Sequence, residues 1–325
     1  MAALALAAVL VPTTPTAVAA VCAENFSGLT PLTDLAPGQT YLGAPGGLYP
    51  GGTNARPAAH TTAGRSIATT QVRPRDAAGT IVSNGLVGMI SIGMSNTSQE
   101  FGHFVASLAG DPTLRPQLRI VDGAQGGQVT ENWINPTAPT WQTLANRLTA
   151  AGVAPAQVQV LWLKNQYRFD NLGAFPGGAQ TLRDQLGQIV RIARQKYPNL
   201  RLAYLSSRTY GHYGSALRGV GAYESAFGVK WLVEQQISGD PQLAHSGPGA
   251  VAPWLSWGPY LWADGLGADR APGGVPGRAD GLEWRCSDYN TDGIHPSTAG
   301  KQKTTAALDR FFRTDVTTTP WFLRP

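Results

Sequence analysis

The clearest hydrophobic pattern in the chain is an apolar run at residues 87–93 (VGMISIG), which stops shortly before Ser95. Beyond it, four apolar side chains recur at helical spacing: Phe101, Phe104, Val105 and Leu108. The pattern predicts a buried strand that turns sharply into an amphipathic helix. Such a turn lies at the carboxyl edge of a parallel sheet, where open α/β folds bind their ligands.

The same alternation continues to the end of the chain. Apolar runs predict further strands late in 114–121 and at 157–163, 201–206 and 251–262. Helical periodicity predicts helices at 141–148, 178–197, 222–237 and 297–312. Because parallel strands are joined by helical crossovers, this order predicts a doubly wound α/β domain built on a parallel sheet.

The first twenty residues have the pattern of a secretory signal peptide. Residues 2–11 are almost all Ala, Leu and Val, and small residues follow, with Ala17-Val18-Ala19 as a candidate cleavage site. The apolar core is too short to span a bilayer, and no later stretch is long enough. We therefore expect an exported protein without stable membrane insertion.

Residues 21–84 differ in composition from the remainder of the chain. They are rich in Gly, Pro, Thr and Ala, and residues 23–80 show no helical period. This composition predicts a loop-rich N-terminal extension of loops and short strands that wraps a catalytic domain at 85–325. An alternative is that the segment serves as a cell-wall-associated interaction module.

Composition narrows the class of protein. Of the 325 residues, 42% are hydrophobic, which is ample for a core, and the net charge of +5 is not concentrated in any Lys/Arg block, so we expect no nucleic-acid partner.

Cys22 and Cys286 are the only cysteines, and in an exported protein they predict a disulfide. The chain-entropy model gives at most roughly 5 kcal/mol for so long a loop. We predict no metal site.

Ser95 is the first candidate for chemistry. A serine hydroxyl becomes nucleophilic when a neighbouring base takes its proton, and among the five histidines His295 stands out because Asp292 precedes it by three residues. The aspartate can accept one ring N–H and leave the other nitrogen facing the serine. The alternatives are that Ser95 is a helix N-cap and that DGIHPS is a turn followed by a cap.

Two further residues could stabilise an oxyanion. Gly127 lies in the Gly126-Gly127 turn after the second predicted strand, and Asn165 follows the third. A glycine allows close backbone approach, and an amide side chain can donate to developing negative charge. Ordinary turn chemistry explains each residue singly, but all the pieces fall at carboxyl ends of strands or in the last loop.

These motifs in this order resemble the SGNH (GDSL-like) hydrolase family, over roughly residues 85–313. The resemblance implies a three-layer α/β/α, flavodoxin-like domain with a parallel sheet of about five strands. It also implies that Ser95 is the nucleophile, His295 the base and Asp292 its orienting group, with Gly127 and Asn165 in the oxyanion hole. Members of the family hydrolyse esters of lipids, acetylated sugars and other small acyl compounds.

The chain departs from the family pattern at two places. Met94 stands where Gly-Asp-Ser has its aspartate, and Gln166 stands where Gly-x-Asn-Asp has its aspartate. These departures leave open an inactive relative or one with an unusual substrate.

Substrate contacts are predicted from residues near strand ends and from an aromatic segment. The aromatic residues are Trp254, Trp257, Tyr260, Trp262, Trp284 and Tyr289. Exposed rings stack on sugars, whereas buried ones pack a loop core. Arg168, His212 and Trp284 are the candidate substrate contacts.

The sequence thus predicts a secreted, monomeric serine esterase without a cofactor. We expect it to act on short-chain acyl esters such as acetyl groups, carried by a small molecule or a carbohydrate. The alternative is a catalytically inactive glycan-binding protein on the same fold.

Overall fold

The centre of the molecule is a five-stranded parallel sheet. The computed structural model describes residues 22–167, 173–214, 216–265 and 278–324. A short antiparallel hairpin comes first in the chain, formed by β1 (Thr40–Tyr41) and β2 (Ala44–Pro45). The main sheet comprises β3 (Val87–Gly93), β4 (Leu118–Val121), β5 (Val158–Lys164), β6 (Leu202–Leu205) and β7 (Trp254–Trp257). The predicted α/β fold with about five parallel strands is confirmed.

The strand order places the topological switch point of the sheet beside Ser95. The order is β4-β3-β5-β6-β7, and every neighbouring pair in it is parallel. This is the flavodoxin-like order, in which the first strand lies between the second and the third. The loops after β3 and β5 therefore flank the crevice at the switch point, and they begin next to Ser95 and Asn165.

Helices cover both faces of the sheet. Those described are α1 (Ala58–Thr70), α2 (Ser95–Ser107), α3 (Thr130–Trp133), α4 (Pro139–Ala150), α5 (Gly177–Lys196), α6 (Ala216–Ile237), α7 (Thr298–Thr314) and α8 (Thr319–Phe322). Successive residues of a strand point to opposite faces, so in β3 Ile90 and Ile92 join one hydrophobic cluster while Val87 and Met89 join the other. The first cluster contains residues of α3 to α6, and the second contains residues of α1, α2, α7 and α8, which makes three layers.

The helix α1 corrects the expectation that residues 23–80 hold only loops and short strands. Its buried residues are His60, Gly64, Ile67 and Ala68, a face too small and too polar to show a hydrophobic period. Gly64 is needed because a β-carbon there would lie 2.4 Å from the Trp254 ring. The helix therefore packs through Gly64 and a single large apolar side chain, that of Ile67, rather than through a stripe of such side chains.

Two element boundaries also differ from the predicted ones. The helix predicted at 222–237 begins earlier, at Ala216, because Gly219 and Gly221 weaken the helical signal of its first turns. The strand predicted within 251–262 is confined to Trp254–Trp257. The aromatic residues after it are buried in an irregular segment that lacks ladder partners.

The first described residue, Cys22, is covalently attached to the segment that precedes α7. Cys22 and Cys286 form a disulfide, as their number and the predicted export indicated. The predicted signal peptide at 1–20 lies outside the described residues. Within the described ranges, no helix combines the length and apolarity needed to cross a bilayer.

Candidate active site

Ser95 is the first residue of α2, immediately after the β3 edge. The N-cap position belongs to Met94, which has extended backbone angles and makes no side-chain capping bond. The interpretation of Ser95 as an N-cap is therefore wrong. The turn is tight: a β-carbon on Gly93 would lie 2.2 Å from the Lys164 carbonyl oxygen and 2.4 Å from Thr97 Oγ1. The serine is half-buried at the strand–helix junction.

Ser95, His295 and Asp292 form a continuous hydrogen-bonded chain. Ser95 Oγ lies 2.8 Å from His295 Nε2, and His295 Nδ1 lies 2.5 Å from Asp292 Oδ2. A carboxylate can only accept, so the ring proton belongs on Nδ1, and Nε2 is left to accept from the serine hydroxyl. The arrangement is that of a nucleophile, a base and an orienting acid.

The Asp292 carboxylate also shapes the loop that carries His295. Its Oδ1 accepts from the backbone N–H groups of Ile294 and His295, each at 2.9 Å. Partial burial raises the pKa of Asp292, but the hydrogen bonds from the His295 ring and from these two N–H groups outweigh it, so the pKa lies below its ordinary value. The carboxylate is therefore kept ionised and oriented.

A second contact joins the nucleophile helix to the same loop. Asn96 is 2% exposed, and its Nδ2 donates to the Ile294 carbonyl at 2.6 Å. This contact has no local sequence signal, because its partners are 198 positions apart. It links the neighbours of Ser95 and His295 directly.

The first turn of α2 is also tied to the neighbouring strand. Asp122, at the end of β4, accepts from Ser91 Oγ at 2.5 Å and from Ser98 Oγ at 2.6 Å. Burial raises the pKa of Asp122, while the two hydroxyls and the Ala124 N–H oppose that rise. The Asp122 carboxylate thus links β3, through Ser91, to the first turn of α2, through Ser98.

The predicted oxyanion residues lie next to each other. Gly127 is exposed and left-handed, with φ +73°. Asn165 is 3% exposed, donates from Nδ2 to the Gln128 carbonyl at 3.4 Å and accepts the Gln166 N–H on Oδ1 at 2.8 Å. The Asn165 amide, just after β5, therefore touches the residue that follows Gly127 in the loop after β4.

The two departures from the family pattern have structural surroundings of their own. Met94 is 5% exposed, and its sulfur lies 3.8 Å from Nη1 of the buried Arg208. Gln166 donates from Nε2 to the Gly221 carbonyl at 2.8 Å, and the backbone carbonyl of Gln166 accepts the Thr130 N–H at 3.0 Å. Both side chains pack into the protein beneath the site.

A buried ion pair lies under the Ser95 turn. Lys164 Nζ contacts Glu100 Oε2, and the two side chains are 0% and 1% exposed. The Lys164 carbonyl accepts from Thr97 Oγ1 at 2.5 Å. Burial lowers the pKa of Lys164, and the Glu100 charge acts in the opposite direction. The last residue of β5 is thereby attached to α2 through both its main chain and its side chain.

The structure places the three candidate substrate-contact residues in different surroundings. Arg168 lies outside the described residues. His212 packs its ring against Gly219, where a β-carbon would approach within 2.1 Å, and burial lowers its pKa. Trp284 is 1% exposed and donates its indole N–H to the Leu261 carbonyl at 2.9 Å. Trp284 therefore packs in the core and presents no free ring face to a substrate.

The aromatic segment as a whole is buried. The exposures are Trp254 0%, Trp257 2%, Tyr260 5%, Trp262 0%, Trp284 1% and Tyr289 6%. The indole N–H groups of Trp254, Trp257 and Trp284 donate to backbone carbonyls. These rings form loop core rather than a sugar-stacking platform, which removes the main support for glycan binding by this segment.

Among the described residues, no group of three His, Cys, Asp or Glu side chains is arranged to hold a metal ion. The polar chemistry of the site is carried by hydroxyl, imidazole, carboxylate and amide groups.

Comparisons with known proteins give only distant similarities. No family model matches the chain, and no curated protein matches it. Among solved structures, the C-terminal catalytic domain of Streptococcus pneumoniae peptidoglycan O-acetyltransferase A, with a methylsulfonyl adduct, is 11% identical at a TM-score of 0.35, covering 71% of this chain and 94% of that domain. A proposed acylhydrolase from Bacteroides fragilis is 9% identical at a TM-score of 0.39, covering 82% and 100%.

A protein from Arabidopsis thaliana is 11% identical at a TM-score of 0.31, covering 66% of this chain and 67% of that one. TM-scores this low support no inference about activity. The α/β architecture rests on the strand order and layers described above, and the chemistry rests on the geometry of the site.

Proposed function

We propose that this protein is an exported serine esterase that cleaves acyl esters. The observation that carries the proposal is the hydrogen-bonded chain from Ser95 Oγ through the His295 ring to Asp292, with distances of 2.8 and 2.5 Å. Predicted export and the Cys22–Cys286 disulfide agree with an extracytoplasmic location.

Each group has one role in the proposed reaction. Ser95 Oγ attacks the ester carbonyl while His295 Nε2 takes its proton, and Asp292 stabilises the imidazolium that forms. The tetrahedral intermediate collapses when His295 returns that proton to the leaving alcohol, which leaves an acyl group on Ser95. Water, deprotonated by the same imidazole, then releases the acid and restores the serine.

The oxyanion would be bound by donors on both sides of the crevice. The Ser95 N–H is one of the first N–H groups of α2, which lack intrahelical acceptors and favour negative charge. The Gly127 N–H and the Asn165 amide complete the proposed set. The approach of Asn165 to Gln128, at 3.4 Å, supports this grouping.

The substrate we propose is a short-chain ester, such as an acetyl ester, on a carbohydrate or another small alcohol. The exposed residues described in the loop after β4 are Gly126 and Gly127, and the Asn165 amide reaches the backbone carbonyl of the adjoining Gln128. A lining of this kind suits a small acyl group and a polar alcohol better than a long alkyl chain, which needs a continuous apolar groove.

A fluorophosphonate probe and p-nitrophenyl acetate together test the proposal. The wild-type protein should label at one site, mapped by mass spectrometry to Ser95, and should hydrolyse the acetate ester. Ser95→Ala should abolish both. Ser107→Ala is the matched control because Ser107 lies in the last turn of the same helix, where its hydroxyl donates to the Phe104 carbonyl and has no other hydrogen bond among the described residues.

Equal, slow hydrolysis by the wild-type protein and Ser95→Ala would refute the enzyme hypothesis. Glycan binding that survives Ser95→Ala without any turnover would instead favour the non-catalytic alternative. If Ser107→Ala also lost labelling, disturbance of α2 rather than loss of the Ser95 hydroxyl would explain the result with Ser95→Ala.

A further inference from the structure

The loop that carries His295 is supported from behind by a second loop. A β-carbon on Gly293 would lie 2.3 Å from the Tyr213 carbonyl oxygen and 2.7 Å from the Gly214 nitrogen. A β-carbon on Gly214 would lie 2.6 Å from Ile294 Cγ1. The turns at 213–214 and 293–294 therefore pack back to back with no room between them. A displacement of Tyr213 must move the segment between Asp292 and His295.

Tyr213 is in turn held by the N-terminal strap, which we define as residues 22–28. Its hydroxyl lies 2.8 Å from Glu24 Oε2 and 2.8 Å from the Trp284 carbonyl. The same Glu24 carboxylate accepts the Cys286 N–H at 3.1 and 3.2 Å. One acidic side chain thus joins the strap to both Tyr213 and the segment that leads into the His295 loop.

The strap is attached at both of its ends. The Cys22–Cys286 disulfide closes one end. At the other, the Asp264 carboxylate accepts from Ser27 Oγ at 2.7 Å and from the Gly28 N–H at 3.0 Å. Glu24 lies between two fixed points, so its position is set even though its side chain is exposed.

We propose that Tyr213 is a positioning residue for His295, and that the N-terminal strap holds it there through Glu24 and the disulfide. This inference rests on the proposed esterase function. His295 Nε2 reaches Ser95 only if the Asp292–His295 segment keeps its place. Tyr213 and Gly214 pack directly against Gly293 and Ile294 within that segment. Cutting the strap should therefore slow the chemical steps and leave substrate affinity unchanged.

Tyr213→Phe and Glu24→Ala test the two links separately. Tyr213→Phe keeps the ring packing and removes only the hydroxyl, and Glu24→Ala removes the acceptor at an exposed position where folding is not at risk. Each should lower kcat and the rate of fluorophosphonate labelling by about tenfold, with KM within about twofold of wild type, since a small misplacement of a catalytic group acts on the transition state. Glu24→Gln keeps an acceptor oxygen and should recover most of the rate.

Tyr223→Phe is the matched control. The Tyr223 hydroxyl also donates to the N-terminal segment, to the Thr30 carbonyl at 2.9 Å, but Tyr223 has no described contact with the His295 loop. It should keep wild-type kcat. If Tyr213→Phe and Glu24→Ala keep it as well, the inference is wrong.

Amide hydrogen exchange supplies a readout independent of turnover. In Glu24→Ala, and in wild-type protein with the disulfide reduced, a peptide covering 290–297 should exchange faster, while peptides from β3 and β5 should not change. If the wild-type protein neither labels nor hydrolyses ester, the proposed function fails, and unchanged exchange in this peptide separately refutes the coupling of strap and loop.

Discussion

The Asn96 side chain donates a 2.6 Å hydrogen bond to the carbonyl of Ile294. Asn96 is the residue after Ser95, and Ile294 is the residue before His295. The two groups that exchange a proton in the proposed reaction are therefore held together by their chain neighbours as well as by their own contact. A nearly fully buried amide with a short bond to a carbonyl makes this link stiff.

Replacing Asn96 should reduce turnover more than it reduces stability. In Asn96→Ala we expect kcat to fall by about 10- to 100-fold, because the His295 loop loses its tie to α2 while Ser95 and His295 themselves remain. Unfolding in urea should show a loss of about 1–2 kcal/mol for the missing buried hydrogen bond. Asn146→Ala is the control, because Asn146 is exposed and, within the described parts of the chain, its side chain hydrogen-bonds to Gln142 alone. An unchanged kcat would show that the Ser95–His295 contact is set without this link.

The Asn165 amide should stabilise the transition state of the proposed reaction. We expect Asn165→Ala to lower kcat by about 10²–10³-fold, as for the loss of one oxyanion donor, with KM little changed. Because the variant also loses the Oδ1 acceptor for the Gln166 N–H, its thermal midpoint must be compared with that of wild type. A rise in KM with constant kcat would place Asn165 in substrate binding and not in the oxyanion hole.

The buried His60 should make the fold sensitive to mild acid. Burial, opposed by the bond to the Leu255 carbonyl, lowers the pKa of His60 from 6.5 to about 4, and the neighbouring His245 and Arg56 charges act in the same direction as burial. Between these values the unfolded chain binds a proton that the folded chain does not, so stability is full above pH 6.5 and is lost as the pH falls toward 4. The loss is at most ~3 kcal/mol.

Urea unfolding at several pH values checks this for wild type and His60→Gln. The glutamine can still donate to the Leu255 carbonyl but does not titrate, so its free energy of unfolding should decline less between pH 7 and pH 4. Curves that stay parallel over this range would exclude His60 as the acid-sensitive group.

The buried pair of Lys164 and Glu100 should be costly to break from either side. Removing one partner leaves an uncompensated buried charge, so Glu100→Gln and Lys164→Met should each lower the free energy of unfolding by about 3–5 kcal/mol. Glu100→Gln should be the more damaging, because the Glu100 charge also favours the charged form of Arg208. The double variant Lys164→Met, Glu100→Leu should recover part of the loss. Additive effects in denaturant unfolding would contradict a direct pairing.

Much of the architecture could be predicted from local sequence patterns, because the sheet is made of long apolar runs such as 87–93 and 157–163. The helix α1 could not, because it buries Gly64 against Trp254 rather than a stripe of large side chains. Its position depends on the shape of a partner almost two hundred residues away, which no local period encodes.

The same division applies to the site. Ser95, Asp292 and His295 were identified from short motifs, and their hydrogen bonds are those such motifs require. Asn96, Tyr213 and Glu24 contact segments that are distant along the chain, so only the folded structure reveals them. The aromatic segment is the opposite case: its composition indicated a sugar-binding surface, but its rings are buried in the interior of a loop.

The hydroxyl of Ser95 and the imidazole of His295 are separated by 200 positions along the chain. A polypeptide still emerging from an export channel, or one in which α7 has not docked, would carry the proposed nucleophile without its proposed base. Ester cleavage would then begin only once the polypeptide has fully assembled, so activity would report completed maturation, and partly folded forms would be chemically silent.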